Sequence, residues 1–301
     1  MLHPLFSVIV PGARDGGRLP RLLAALAGQD FPRPDLEIIL TAAHAPDPAF
    51  VRRWGGILAP ARLRVTPVPP DAGRAARRNA GLDAAAGALR LCLDPEFRLH
   101  PAALTGLALA LERAPWAGGV HAGDATDRWL RSGPGRPGGL ERTGAAQTWR
   151  LRRGPATGPC LALRRTPDTA GLRYRDVGRY LNWDLAIQLH LAGVPLTRAD
   201  RAMPGFRPIM DRSMDRSMDR IEEERSRAQV VAANPGFFDR ATLAWALALL
   251  RGEAWAKGTK PAEVPGGLAV RLHFERHLRA VSREARLRAA HPEVFPLLVS
   301  A

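Results

Sequence analysis

The stretch GRAARRNAGLDAAAGALRLCLDPE, residues 73–96, decides how this chain reads. Its first part, Arg74 to Ala86, is rich in Ala and Arg, residues that lose little on entering a helix, and it predicts one. After Gly87, the run Leu89-Arg90-Leu91-Cys92-Leu93 is short and mostly apolar, the pattern of a buried strand. That strand delivers Asp94, Pro95 and Glu96 at its carboxyl end. Two carboxylates two residues apart, just past a buried strand, can share one divalent cation that bridges a diphosphate.

The same alternation extends to both sides. Phe6-Ser7-Val8-Ile9-Val10 predicts a first strand stopped by Pro11-Gly12, and Leu19, Leu22, Leu23 and Leu26 recur at helical spacing up to a capping Gly28. Glu37 to Leu40 predicts a second strand, Pro48 to Trp54 a helix, Leu63 to Val65 a third strand, and Leu104 to Arg113 another helix. Strands alternating with helices predict a mostly parallel central sheet covered on both faces. Ligands of such sheets bind beyond the carboxyl ends of the strands. This places Pro11 to Arg14, Thr41 to His44 and Asp94 to Glu96 along one rim.

Further on, Gly118 to Gly158 is rich in Gly, Arg and Pro and predicts long loops with short strands. Cys160 to Leu163 predicts a strand, and Leu181 to Ala192 a helix ended by Gly193. The character changes near Met203. The tandem repeat from Met210 to Ile221 places Met210, Met214, Met218 and Ile221 on one helical face. Thr242 to Leu250 predicts a compact apolar helix, and the segment from Gly266 to about Ala290 a basic one. The expected organisation is an α/β domain over 1–205 and a helical extension over 206–301.

The net charge is +15, and Lys257 and Lys260 are the only lysines, so the basic residues are nearly all arginine. They run along the whole chain rather than forming the basic patch of a nucleic-acid binder, so the expectation is no nucleic-acid partner. Cys92 and Cys160 stand far apart in apolar contexts and read as buried thiols of a reducing compartment. The opening Met1-Leu2-His3-Pro4 has no secretory pattern, and no apolar run approaches the roughly 20 residues of a membrane span. A cytoplasmic location is expected. Gly12-x-x-x-Gly16-Gly17 follows a strand but lacks both the dinucleotide-binding and the Walker spacing, which argues against a dehydrogenase or a P-loop enzyme.

Taken in order, several segments resemble family 2 glycosyltransferases. Ser7 to Pro11, Gln29-Asp30-Phe31-Pro32 and Glu37-Ile38-Ile39 are similar to the family's opening. Gly73 to Leu82, followed by Leu93-Asp94-Pro95-Glu96 and His100-Pro101, resembles the segment leading into its D-x-D motif. Gly158 to Arg165 is similar to the strand before the acceptor site, and Asn182-Trp183-Asp184-Leu185 to the helix that carries the catalytic base. The likeness spans about residues 5 to 200. It implies the GT-A nucleotide-diphospho-sugar transferase fold, a nucleotide-sugar donor, and a divalent metal, Mg²⁺ or Mn²⁺, on Asp94 and Glu96. It also implies donor contacts at Pro11, Gly12, Arg78 and Asp94, and inverting transfer to a glycan or lipid-linked acceptor.

The chain departs from that pattern at three places. Thr41-Ala42-Ala43-His44 stands where the family has an Asp pair, the D-x-D ends in Glu96, and Leu181-Asn182 replaces a Glu-Asp pair. Asn cannot take a proton as a general base does, so Asp184 is the expected substitute and Asn182 the aligned position. The alternative expectation is a catalytically inactive scaffold that binds a partner protein or glycan. The basic segment after Gly266 has two readings, a solvated helix packed on the domain or a peripheral contact with anionic membrane, where lipid-linked acceptors reside.

Overall fold

The computed structural model describes residues 5–12, 17–44, 46–95, 97–122, 151–152, 160–199, 206–208 and 216–251. Strand β1 (Phe6–Pro11) leads to helix α1 (Arg18–Ala27), which ends at the expected Gly28. Strand β2 (Leu36–Ala42) and helix α2 (Pro48–Leu58) follow, with the Asp47 side chain accepting from the Ala49 N–H to cap α2. Then come β3 (Arg62–Pro67), α3 (Arg74–Ala84), β4 (Leu89–Cys92), β5 (Phe97–Leu99), α4 (Ala103–Glu112) and β6 (Gly119–Ala122). Strand β7 (Cys160–Arg164), the short helix α5 (Pro167–Ala170), α6 (Leu181–Leu191), β8 (Leu196–Ala199) and β9 (Phe206–Pro208) come next. Helices α7 (Arg216–Ala233) and α8 (Arg240–Leu250) close the described chain.

Seven strands form one sheet in the order β3-β2-β1-β4-β7-β6-β8. Strands β3, β2, β1 and β4 run parallel, β6 and β8 run parallel to each other, and β7 is antiparallel to both its neighbours. A separate two-stranded ribbon pairs β5 with β9. The mostly parallel α/β sheet expected from the sequence is therefore present.

Side chains alternate across each strand, so the sheet has two distinct faces. Phe6 and Val8 of β1, Ile38 of β2 and Leu91 of β4 join the leucines of α1 and α4 in one apolar core. The opposite face is covered by α3, and it is closely fitted. A Cβ on Gly81 would overlap Cγ2 of Ile9, so this glycine lets α3 lie directly on β1.

This second face also holds a buried polar network. The Ser7 hydroxyl donates to Glu37 Oε2 at 2.6 Å and accepts from the Gly87 N–H at 2.8 Å. The Ala86 N–H and the Arg64 guanidinium complete the carboxylate's shell at 3.0 and 2.9 Å. Burial alone would raise the Glu37 carboxyl, but Ser7, Ala86 and Arg64 together hold it below its ordinary 4.5. A carboxyl lowered on folding stabilises the protein above its unfolded pKa, and that contribution is lost as pH falls through the folded value. Glu37→Gln should therefore flatten the loss of thermal midpoint below about pH 4.5. An unchanged acid profile in the variant would exclude Glu37 as its source.

Two compact units emerge from the packing. The first takes Met1–Thr143, Thr157–Asp176 and Gln188–Asp211, and holds the whole seven-stranded sheet. The second takes Gly144–Ala156, Val177–Ile187 and Arg212–Ala301. The division expected at residue 205 falls shortly before Arg212, where the last stretch of the second unit begins. The first residues of α6 belong with α7, because Asp184 and Tyr180 hydrogen-bond to side chains of α7 and its end. The repeat from Met210 to Ile221 lies in α7 from Arg216 on, and its earlier residues and the basic segment after Gly266 lie outside the described residues.

Candidate functional site

The rim predicted from the sequence is formed by the carboxyl ends of β1, β2 and β4. Pro11 is the last residue of β1, and the chain then turns at Gly12 with φ of 78°, a backbone region that favours glycine. The Gly12 N–H donates to the Thr41 carbonyl at 2.9 Å, which joins the ends of β1 and β2. A side chain at Gly12 would also press on Arg77 Nη1, at 3.0 Å from its Cβ. Thr41, where the resemblance predicts carboxylates nearby, is buried, and its hydroxyl has no hydrogen-bond partner among the described residues.

Asp94 sits just past β4 and is only 8% exposed. Its Oδ2 accepts from Arg78 Nη2 at 2.7 Å and from Arg74 Nη2 at 2.8 Å. Both arginines come from the first turns of α3, one turn apart, so a single helix start presents them to one carboxylate. Burial by itself would raise the Asp94 carboxyl, but the charges and hydrogen bonds of Arg78 and Arg74 hold it below the ordinary value.

Arg78 is itself 4% exposed, and its guanidinium lies over the Tyr174 ring at 5.0 Å from the centroid. Burial acts to lower its pKa, yet Asp94 raises it, so it stays charged throughout. Asn79 fixes the segment carrying that ring. Its Nδ2 donates to the Tyr174 carbonyl and its Oδ1 accepts from the Tyr174 N–H, both at 2.8 Å. The Arg-Asn pair of the quoted stretch is thus explained by geometry. Arg78 orients Asp94, while Arg74, with about half its side chain exposed, is the guanidinium open to solvent. The sequence singled out Arg78 as a donor contact and missed Arg74. Among so many arginines only its place in the first turn of α3 distinguishes it.

Glu96, the expected second metal ligand, lies outside the described residues. Among the described residues no group of three or more His, Cys, Asp or Glu could hold a metal ion by itself.

Asn182 and Asp184 belong to the second unit, at the start of α6. Asn182 is 8% exposed and Asp184 is 0% exposed. The Asp184 Oδ1 accepts from Asn234 Nδ2 at 2.8 Å, and the same nitrogen donates to the Val230 carbonyl at 2.8 Å. Asp184, the expected substitute for the missing base, thus has no exposed surface and is bonded to an amide in the packing of α6 against the end of α7. Residues two apart on a helix project about 200° from each other, so one turn cannot present both side chains the same way.

Around them, Trp183 Nε1 donates to the Leu151 carbonyl at 2.7 Å, and its ring meets those of Tyr180 and Phe238 edge to face. The Tyr180 hydroxyl donates to Glu223 Oε1 at 2.9 Å, which also accepts from Arg227 Nη2 at 2.7 Å. Glu224, beside them, is pushed up to about 7 by burial, against the lowering effect of Arg227. No motif in the sequence announced this group, because its partners lie more than 40 residues apart in the chain.

No protein-family model matches the chain, and no curated protein matches it. Solved structures do. The chain is similar to the mannosyltransferase PcManGT from Pyrobaculum calidifontis, solved in complex with GDP-Man and Mn²⁺, with 20% identity and a TM-score of 0.62 over 97% of this chain and 89% of that one. It is similar to S. aureus TarS 1–349 at 17% identity and a TM-score of 0.54, covering 84% of this chain and 72% of that one. A third likeness is to glucosyl-3-phosphoglycerate synthase from Mycobacterium tuberculosis, solved with Mn²⁺, UDP and glucosyl-3-phosphoglycerate, at 14% identity and a TM-score of 0.50, covering 76% and 79%. Likeness at such identities speaks for architecture, and the architecture shared by these structures and this chain is the GT-A fold.

Proposed function

We propose that this chain binds a nucleotide-diphospho-sugar and transfers the sugar, with inversion, to a hydroxyl of a glycan or lipid-linked acceptor. The observation that carries the reading is Asp94, held at the carboxyl end of β4 by Arg74 and Arg78. Such strand ends are where α/β sheets take their ligands.

The residues fit a divalent cation, Mg²⁺ or Mn²⁺, that arrives with the donor. Both arginine bonds end on Oδ2 of Asp94, which leaves Oδ1 as the oxygen for a metal, with Glu96 as the proposed second ligand. Two guanidiniums beside one carboxylate repel a bare cation but attract diphosphate oxygens. Bound there, the ion would offset charge on the leaving nucleotide. Arg74 is assigned to the diphosphate, Arg78 to holding Asp94, and the backbone at Pro11 and Gly12 to seating the nucleotide.

The acceptor hydroxyl is assigned to Asn182, which can orient it by hydrogen bonding but cannot take its proton. One observation favours a second reading, a scaffold that binds donor or glycan without turnover. Asp184, the carboxylate nearest Asn182 in sequence, is fully enclosed.

Thermal unfolding with UDP and GDP, each with and without Mn²⁺, tests donor binding. The wild-type midpoint should rise by about 5–10 °C at saturating ligand, only when nucleotide and metal are both present. Asp94→Asn should remove the rise and also lower the ligand-free midpoint, since it leaves the buried Arg78 without its counter-charge. Equal shifts in wild type and variant would defeat the assignment. The basic segment after Gly266 is proposed to rest on anionic lipid. Deleting 266–301 should then weaken sedimentation with phosphatidylglycerol vesicles, and undiminished sedimentation would reject that role.

A further inference from the structure

Arg90 lies within β4, on the face that also carries Cys92, and it is 6% exposed. Its Nη2 donates to the Thr169 hydroxyl and carbonyl at 3.1 and 3.4 Å, while its Nε is buried with no hydrogen-bond partner among the described residues. No carboxylate pairs with it among those residues. Glu37, on the same face, is committed to Ser7, Ala86 and Arg64.

Two arginines on exposed residues flank Thr169 in the chain, Arg165 and Arg173. Arg165 follows β7, and its Nη1 donates to the carbonyls of Ala85 and Ala86 at 3.3 and 3.4 Å. Arg173 donates through Nη1 to the carbonyls of Ala170 and Leu172 at 2.8 and 2.9 Å, and through Nη2 to the exposed Asp83 at 2.9 Å. These two charges, after burial itself, lower the pKa of Arg90. Among the described residues, the exposed Asp83 is the one carboxylate hydrogen-bonded to any of these three arginines, of which Arg90 is buried. A buried charge without a counter-charge is costly, and an arginine fork matches the oxygens of a phosphate.

We propose that Arg90, Arg165 and Arg173 form a second anion site, taking a phosphate-class oxyanion and separate from the nucleotide rim. Arg90 supplies the enclosed charge, and Arg165 and Arg173 supply the entrance. Four residues of extended chain separate Arg90 from Asp94, about 13 Å along the strand. The ligand is small and anionic, either a free phosphate monoester or the phosphate of a lipid headgroup.

The test is thermal unfolding of the full chain with inorganic phosphate, titrated against chloride at constant ionic strength. The wild-type midpoint should rise saturably by about 2–4 °C. Arg90→Met and the surface double variant Arg165→Gln/Arg173→Gln should lose that rise, while Asp94→Asn should keep it. Should Arg90→Met fail to fold, the double variant carries the comparison. No saturable rise in wild type, an equal rise in the double variant, or loss of the rise in Asp94→Asn would each overturn the proposal. Phosphatidylglycerol vesicles separate the two sources. Binding weakened in the double variant identifies a lipid phosphate, and binding unaffected there, with the phosphate shift still lost, identifies a free one. The nucleotide and Mn²⁺ shift should survive in the double variant, so failure of this site and failure of the donor reading are told apart.

Discussion

Asn182→Asp should raise the release of nucleotide diphosphate from a matched donor and acceptor by about 10²–10⁴-fold over wild type. The reasoning is chemical. A positioned carboxylate takes the acceptor proton as the hydroxyl attacks, and an amide at the same place only orients that hydroxyl. Asn182 retains some exposure at the start of α6, and Asp is its isostere, so the substitution changes proton chemistry with little change in volume. Asp184→Asn should behave in the opposite way. Its carboxylate is enclosed and bonded to Asn234, so the change should lower stability by about 1–3 kcal/mol and leave turnover nearly unchanged. Measuring diphosphate release and thermal midpoints for wild type and both variants separates the two roles. A rate that falls a hundredfold in Asp184→Asn with an unchanged midpoint would restore Asp184 as the base. No release from wild type or Asn182→Asp, across a donor panel that shifts the midpoint, would establish the scaffold reading.

The second large effect concerns Gly87. A Cβ there would stand 2.7 Å from the Ser7 backbone nitrogen and 2.9 Å from the Phe6 carbonyl carbon. Both atoms belong to β1, which is hydrogen-bonded to a strand on each side and cannot withdraw. The Gly87 N–H also donates to the Ser7 hydroxyl, so moving the loop would break the Glu37 network as well. Gly87→Ala should cost about 3 kcal/mol, a fall in midpoint of about 6–12 °C. Gly55→Ala supplies the contrast. It lies inside α2 with nothing within 4 Å of its Cβ, so the change should be neutral or stabilising by up to about 1 kcal/mol. Equal midpoints for the two variants would show that the close approach at Gly87 is relieved by movement.

The arrangement around Asp94 was legible in residues 73–96 because helix, glycine, strand and carboxylate follow one another locally, and each obeys a short-range rule. Parallel pairing of β1, β2 and β4 followed from the same alternation. The antiparallel β7 did not, since an apolar run such as Cys160 to Leu163 carries no sign of its direction. The bond from Asn234 to Asp184 and that from Tyr180 to Glu223 join residues 50 and 43 apart. Neither pair has a spacing that marks it. Arg74 was hidden for another reason. Its type is abundant here, and only the backbone course of α3 selects it from its neighbours.

The second unit draws on three separated stretches of chain, and its last stretch begins at Arg212. During synthesis, Tyr180 and Asp184 leave the ribosome well before Glu223 and Asn234 exist to receive them. Those groups must remain without their native partners for the time it takes to add about 50 residues, several seconds at ordinary elongation rates. A premature stop near residue 205 would make that interval permanent, producing a chain with the complete seven-stranded sheet and a helix start stripped of its seat. Such a fragment is a candidate for chaperone retention and degradation rather than for a minimal enzyme.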